Sequence, residues 1–421
     1  MQFVRRLVFI SILIQSTAIL ASDSAPLGSP DFRPSQAHPF GFRGDGSGRF
    51  PGATPPTEWS AKKNIRWSTA VGRSYSSPIL TDKCVLVTSE PNVLLCLDRA
   101  NGQILWKVES NPADLPDEKS RKGAADYEAP KNGSGMAAAT PVTDGKFVYV
   151  VFANGIVRAI DLSGKPQWAA YIDAEQSTGY GRSSSPILCG GKLVVHMTNL
   201  YAFDPANGKQ LWVNTDATSQ YGSPTSFKLG DADLIVTPNG DVVRADNGKS
   251  AATGIGLGHN SSPVVSDGVI YFDENAVNAT RLNAAFKGEE LWSASIMGDV
   301  FGSPLIDEPR PQGSGLLFTA TGKGELFAFD TKGKGDQDPV INARALFGEN
   351  EGGPIAYASV TLAGKYLFLN SNQGDTVVLE ATREAKQIAK NTLAAGSGAS
   401  PVFSGKDMYL RAGEKLLCIG E

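Results

Sequence analysis

Histidine and cysteine are scarce in this sequence, with three of the first (His38, His196, His259) and four of the second (Cys84, Cys96, Cys189, Cys418) among 421 residues. None stands in a CxxC or HExxH spacing, which excludes a zinc ribbon, a thioredoxin-like centre and a zincin-type site. Four scattered cysteines are too few for a disulfide framework. They read as small buried strand residues, with Cys84 and Cys96 able to face each other across a hairpin and their bridging left open, because a disulfide needs Cα atoms within ~7 Å. A GxSxG elbow, a GxxxxGK[ST] phosphate loop and an EF-hand loop are absent as well. Charge is low at 19%, balanced at 39 basic against 43 acidic residues and without long runs of either sign. Nucleic acid is therefore not an expected partner. Long apolar runs are missing too: the stretch from Leu7 to Ile14 resumes only at Ala18 to Leu20, short of the ~20 residues a spanning helix needs.

Behind Arg5 and Arg6, that stretch and the small residues Ala21 and Ser22 read as a signal peptide over residues 1–21. The mature chain is thus expected across the inner membrane, periplasmic or extracellular, without a membrane span and as a monomer. Residues 22–63, rich in Pro and Gly, read as an extended arm lying on the following domain or free of it. Abundant Gly (46) and Pro (25) suit many short strands joined by tight turns.

A three-part phrase recurs through the rest of the chain. It is clearest as Leu94-Leu95-Cys96-Leu97-Asp98, Asn101-Gly102, Leu105-Trp106, and again as Leu200-Tyr201-Ala202-Phe203-Asp204, Asn207-Gly208-Lys209, Leu211-Trp212. Alternating apolar residues run into an Asp, and Asn-Gly supplies the positive φ of a reversal before a second strand. A Ser or Thr followed by Pro precedes each copy: Ser77, Thr140, Ser185, Ser223, Ser262, Ser303 and Ser400, with Ser359-Val360 as a member lacking the Pro. Successive positions lie 63, 45, 38, 39, 41, 56 and 41 residues apart. A four-stranded unit at that period predicts an all-β, eight-bladed β-propeller of antiparallel blades.

The termini predict how the ring closes. The last unit has only three strands, and its Trp-bearing fourth appears at the other end as Asn64-Ile65-Arg66-Trp67-Ser68. Pairing the two removes exposed edges and sets the propeller at residues 64–421. Trp67, Trp106, Trp168, Trp212 and Trp292 share one repeat position and are expected to pack between blades. Blades 4, 6 and 7 lack the residue; Ala251, Leu346 and Ile388 stand near its place.

The phrase resembles the PQQ repeat of quinoprotein dehydrogenases and of the outer-membrane assembly lipoprotein BamB, over about Asn64 to Glu421. The resemblance implies a propeller and two functional alternatives: a quinone-dependent alcohol or sugar dehydrogenase using PQQ with calcium, or an architectural component of an envelope assembly. Those dehydrogenases carry an adjacent Cys-Cys pair that this chain lacks. No catalytic residue and no metal ligand is assigned, and the expected role is a non-catalytic binding or scaffold propeller without a cofactor.

In PQQ-like propellers the segment leading into each innermost strand lines one mouth of the channel. Here that segment supplies Arg73, Tyr75, Arg182, Tyr221, His259, Asn260, Phe301 and Tyr357, a mixed aromatic and polar ring suited to a protein or small ligand. The insertion at residues 109–135 is polar and charged, read as a partner contact or as disorder. Residues 332–342 read as a flexible turn.

Overall fold

The computed structural model describes residues 25–218, 221–308, 313–348 and 353–421. Residues 1–21, read from the sequence as a signal peptide, lie outside them. No described helix is long and apolar enough to cross a membrane.

Eight antiparallel sheets follow one another around an axis, as the repeats predict. From innermost to outermost strand, blade 1 runs from Ile79–Leu80 to Ile104–Glu109, blade 2 from Val142–Thr143 to Pro166–Tyr171, blade 3 from Ile187–Cys189 to Gln210–Asn214 and blade 4 from Thr225–Leu229 to Ser250–Ala252. Blade 5 runs from Val264–Ser266 to Gly288–Ser295, blade 6 from Leu305–Asp307 to Ile341–Ala345 and blade 7 from Thr361–Ala363 to Gln387–Thr392. Blade 8 starts at Val402–Ser404 and is completed by Ile65–Ala70, which pairs with Lys415–Ile419 in the register Trp67 to Cys418. Middle strands such as Phe147–Val151 are buried along almost their whole length because both faces meet a neighbouring blade. The outer strand of blade 1 alternates exposed and half-buried residues, as one-sided burial requires.

The Ser/Thr-Pro phrase forms a closed ring. The backbone N–H of Ser77 donates to the Thr140 hydroxyl, Thr140 to Ser185, Ser185 to Ser223 and Ser223 to Ser262. Ser262 donates to Ser303, Ser303 to Ser359, Ser359 to Ser400, and Ser400 back to Ser77, every bond between 2.8 and 3.0 Å. A hydroxyl is needed at each place because it satisfies a buried amide of the blade before it. The Pro is dispensable, as Ser359-Val360 demonstrates.

On the outside, each repeat Trp reaches the next blade. The Nε1 of Trp67, Trp106, Trp168, Trp212 and Trp292 donates to the carbonyl of Arg99, Leu162, Pro205, Ala245 and Thr331 respectively. The turn glycine packs on the ring face: a Cβ on Gly208, at φ +74°, would stand 2.4 Å from Trp168. Opposite Trp168, Trp212 and Trp292 stand Ala159, Ala202 and Ala279, while Trp106 and Trp67 face Cys96 and Cys418. These two cysteines thus fill small-residue sites under an indole. All four are free and buried; Cys84 and Cys96 lie diagonally across one hairpin, and the hydrogen bond with the Cys84 thiol, with burial second, pushes the Cys96 thiol up.

Where the Trp is missing, the strand register places Ala252, Ile341 and Ala389 at the equivalent position, opposite Val242, Ala328 and Val378, close to but not at Ala251, Leu346 and Ile388. Each junction is filled from elsewhere. Phe286 of blade 5 packs in one cluster with Ala251 and Ala252, and Arg344 of blade 6 donates to the Ala385 carbonyl of blade 7 at 2.6 Å. Trp59, from the arm, is buried and stacks on Phe368 of blade 7 at 6.4 Å.

Two segments read loosely from sequence are ordered. Within 332–342, Gly335–Asp336 pairs in parallel with the outer strand of blade 5, so this stretch is a fifth strand rather than a flexible turn. The 109–135 insertion carries the helix Glu118–Asp126, N-capped by Asp117. It is tied to blade 2 by Arg158, whose Nη1 meets Asp114 at 2.6 Å and the Glu109 carbonyl at 3.1 Å.

The arm lies on the propeller and plugs the channel at the end opposite the blade-entry loops. Phe40 exchanges backbone hydrogen bonds with Thr143 of blade 2, and Arg49–Phe50 adds a parallel strand to the inner edge of blade 7. Phe50 packs on Phe403 of blade 8 at 5.2 Å. Arg43, fully buried, donates from Nη2 to the Pro304 carbonyl at 2.7 Å, and burial pulls its guanidinium down to about 9.

Candidate functional site

The serine ring spaces the eight loops that enter the blades, so residues three before the Ser/Thr-Pro position gather around one channel mouth. Four aromatics converge there. Phe301 and Tyr357 lie 5.1 Å apart. Tyr221 lies 6.1 Å from Tyr180, and its hydroxyl accepts the Tyr180 N–H at 3.2 Å. Burial raises the Tyr357 hydroxyl above its ordinary value, and the nearby hydroxyls of Tyr75 and Tyr180 add to the effect, which brings blades 1, 3 and 7 to one place. Tyr75, Tyr180 and Tyr357 are 47%, 63% and 41% exposed, and the loops leading into blades 5 and 6 add Leu257 and Met297 to the exposed apolar surface. Tyr180 was not among the residues picked by counting back from the Pro, because it sits six before Pro186 on a longer loop.

The polar members divide. The Arg182 guanidinium donates to the carbonyls of Ala153, at 2.7 Å, and Ala174, and stacks over Tyr127 at 4.7 Å. It joins the 109–135 insertion to the blade 3 loop, and its donors are turned to the protein. The Arg73 carbonyl accepts the Glu90 N–H at 2.9 Å, while its guanidinium has no partner among the described residues. The His259 N–H donates to Glu274 at 2.8 Å and its carbonyl accepts the N–H groups of Tyr221 and Gly222, leaving an imidazole 46% exposed. The Asn260 N–H lies 3.4 Å from the same Glu274 oxygen. Loop shape here is thus set by half-buried carboxylates, as it is on blade 1, where Glu90 accepts the N–H groups of Met136 and Ala137.

Two buried titratable groups lie behind the mouth. His196 shares Nε2 with the Ala217 carbonyl at 3.0 Å, and burial pulls it down to about 4. Asp273, held by the Thr319 hydroxyl of blade 6, is pushed by burial up to about 8. Neither reaches the exposed aromatics with a nucleophile or a base partner.

Calcium with a quinone carrying several carboxylates asks for six to eight oxygen ligands and for free cations beside the ring. Of these the mouth supplies one cation without a partner among the described residues, Arg73, and no cluster of free oxygen ligands. Glu274 and Glu90 are taken up by backbone amides and Arg182 by carbonyls, and no group of three His, Cys, Asp or Glu side chains suited to a metal occurs among the described residues.

A family model described as outer membrane protein assembly factor BamB matches residues 50–108 and 128–274. The chain is 23% identical over 261 residues to outer membrane protein assembly factor BamB of Yersinia pestis, covering 55% of this chain and 60% of that protein. It is 27% identical over 146 residues to quinohemoprotein alcohol dehydrogenase ADH-IIG of Pseudomonas putida, covering 32% of this chain and 19% of that protein. Both matches span less than two thirds of the relative. The solved structure of BamB from Moraxella catarrhalis superposes with a TM-score of 0.55 at 12% identity, covering 83% of this chain and 95% of that one, a likeness of fold. With eight closed blades, the repeat phrase and these relatives together, the chain is a PQQ-like β-propeller repeat protein.

Proposed function

We propose that this protein is a non-catalytic binding propeller of the cell envelope, which engages a partner protein through the aromatic mouth and the blade-entry loops around it. The observation that carries the reading is the exposed cluster of Tyr75, Tyr180 and Tyr357 beside Tyr221 and Phe301. Exposed aromatics grouped on a rigid scaffold favour protein recognition, where Tyr supplies large contact area at small entropic cost. The Arg5-Arg6 leader supports export, and a relative named as an outer membrane assembly factor supports an envelope setting and a scaffolding role. The test is crosslinking in envelope fractions of the source cells, followed by isolation of the wild type and of a Tyr75→Ala/Tyr357→Ala variant. A defined protein held by the wild type and lost from the variant supports the reading; identical recovery from both overturns it.

A quinone-dependent dehydrogenase is the second reading, favoured by the match to ADH-IIG. Adding PQQ with calcium and following absorbance and dye-linked oxidation of alcohols and sugars decides it. Robust turnover would replace the binding role with an enzymatic one.

A further inference from the structure

The plugged end of the channel holds a cavity of about 620 Å³ between the arm and the inner strands of blades 3 and 4. Its chemistry follows from hairpin phase. The pairs Cys189 to Lys192 and Leu229 to Ala232 each flank a two-residue turn, and hydrogen-bonded and non-bonded pairs alternate away from it. Leu188, Ser226 and Lys228 therefore aim their N–H and C=O groups away from their own sheet, and all three line the cavity. Blade 7 displays the same geometry with its edge filled: Leu362, two residues after the ring serine's successor like Leu188 and Ser226, donates its N–H to the Gly48 carbonyl of the arm at 2.9 Å. Thr143 of blade 2 does the same with Phe40. On blades 3 and 4 no described group takes the corresponding amides.

We propose that this cavity is a docking site for a short extended peptide segment of a partner protein, which adds as a strand to the inner edge of blade 4 and touches that of blade 3. The occupant continues the interface that the arm already makes on blades 7 and 2. The volume lies in the range of ligand pockets, and so takes a few residues and excludes a folded domain. The charged residues here are the Lys228–Asp233 pair at 2.9 Å and Asp45 rather than a basic cluster, so recognition rests on main-chain hydrogen bonds, with side chains of the segment facing Phe42 and Phe227. The site lies at the other end of the channel from the aromatic mouth and stands or falls independently of it.

The test uses the full mature chain and a positional-scanning library of acetylated hexapeptide amides, with binding read by fluorescence anisotropy and amide exchange at Leu188, Ser226 and Lys228. The expected result is a saturable hit that slows exchange at those amides and weakens at least about tenfold on Ser226→Pro. That substitution removes one channel-facing donor from an edge strand that tolerates Pro. N-methylation of alternate peptide amides acts on the ligand alone, so it gives the same reading even if the variant does not fold, and is expected to abolish binding. No hit up to about 1 mM, or a hit indifferent to N-methylation, overturns the proposal.

Discussion

Five junctions between blades carry the repeat Trp and three do not, yet each of the three is occupied by another residue, Phe286, Arg344 or Trp59. Blade 3 meets blade 4 through Trp212 from its own outer strand, whereas blade 7 relies on Trp59 from the arm, more than 300 residues away in the chain. What the junction demands is buried area, and which segment supplies it is free to vary. A donor to a turn carbonyl accompanies the repeat Trp and Arg344, whereas the buried Nε1 of Trp59 has no partner among the described residues. The repeat is one solution to a packing requirement that recurs at every blade.

The comparison is sharpest at the two indoles. Trp212→Ala, at a half-buried indole, is expected to cost about 3 kcal/mol, the low end for large aromatics, and Trp59→Ala, at a buried one, at least as much if the arm truly replaces the repeat. Urea unfolding of both variants checks this, and a Trp59 loss below about 1 kcal/mol would show that the arm merely covers blade 7. Asp273, between blades 5 and 6, tests a junction that has both Trp292 and a buried carboxyl. Its folded value is raised from 3.8 to about 8, so the folded state keeps a proton that the unfolded chain releases. The resulting stability is complete below about pH 4, declines as pH rises and is gone above about 8. Asp273→Asn should remove that decline, melting above the wild type at pH 8–9 by an amount on the order of a few kcal/mol and close to it at pH 4. Equal differences at both pH values would break the assignment.

Ser303→Ala opens one bond of the ring and leaves the Ser262 amide buried without an acceptor, at about 1–3 kcal/mol. Thermal melts should rank it below Trp212→Ala. The smallest effect belongs to the mouth: Tyr357→Ala, at an exposed position, is expected to change stability by less than about 1 kcal/mol. A loss equal to that of Trp212 would make Tyr357 a core residue and the mouth a plug.

Periodicity made the ring legible in the sequence, because a position that returns eight times declares its role; Trp67 declared the closure in the same way. The Ser/Thr-Pro phrase was visible but its physics was not, since the partner of each hydroxyl lies one blade away, at separations of 38 to 63 residues or, at the seam, 323. Residues outside the repeat were hidden for the opposite reason. Nothing local distinguishes Arg43 or Trp59 from any other arm residue. Arg182 occupies the predicted loop position, but its donors are taken up by the Ala153 and Ala174 carbonyls of the blade 2 loops, which only the fold brings to it. Tyr180 was passed over because loop length varies, and a fixed offset finds only residues on loops of one length.

The seam has a kinetic corollary. Ile65–Ala70 is made more than 340 residues before its partner Lys415–Ile419, so during synthesis an early strand waits with its hydrogen-bonding edge bare until that partner is made. Joining ends so far apart adds little entropy beyond a loop half as long, but the waiting edge is a template for pairing with another chain. Newly made protein is therefore most vulnerable to misassembly just before the other three strands of blade 8 arrive, and a holding chaperone would help most at that moment.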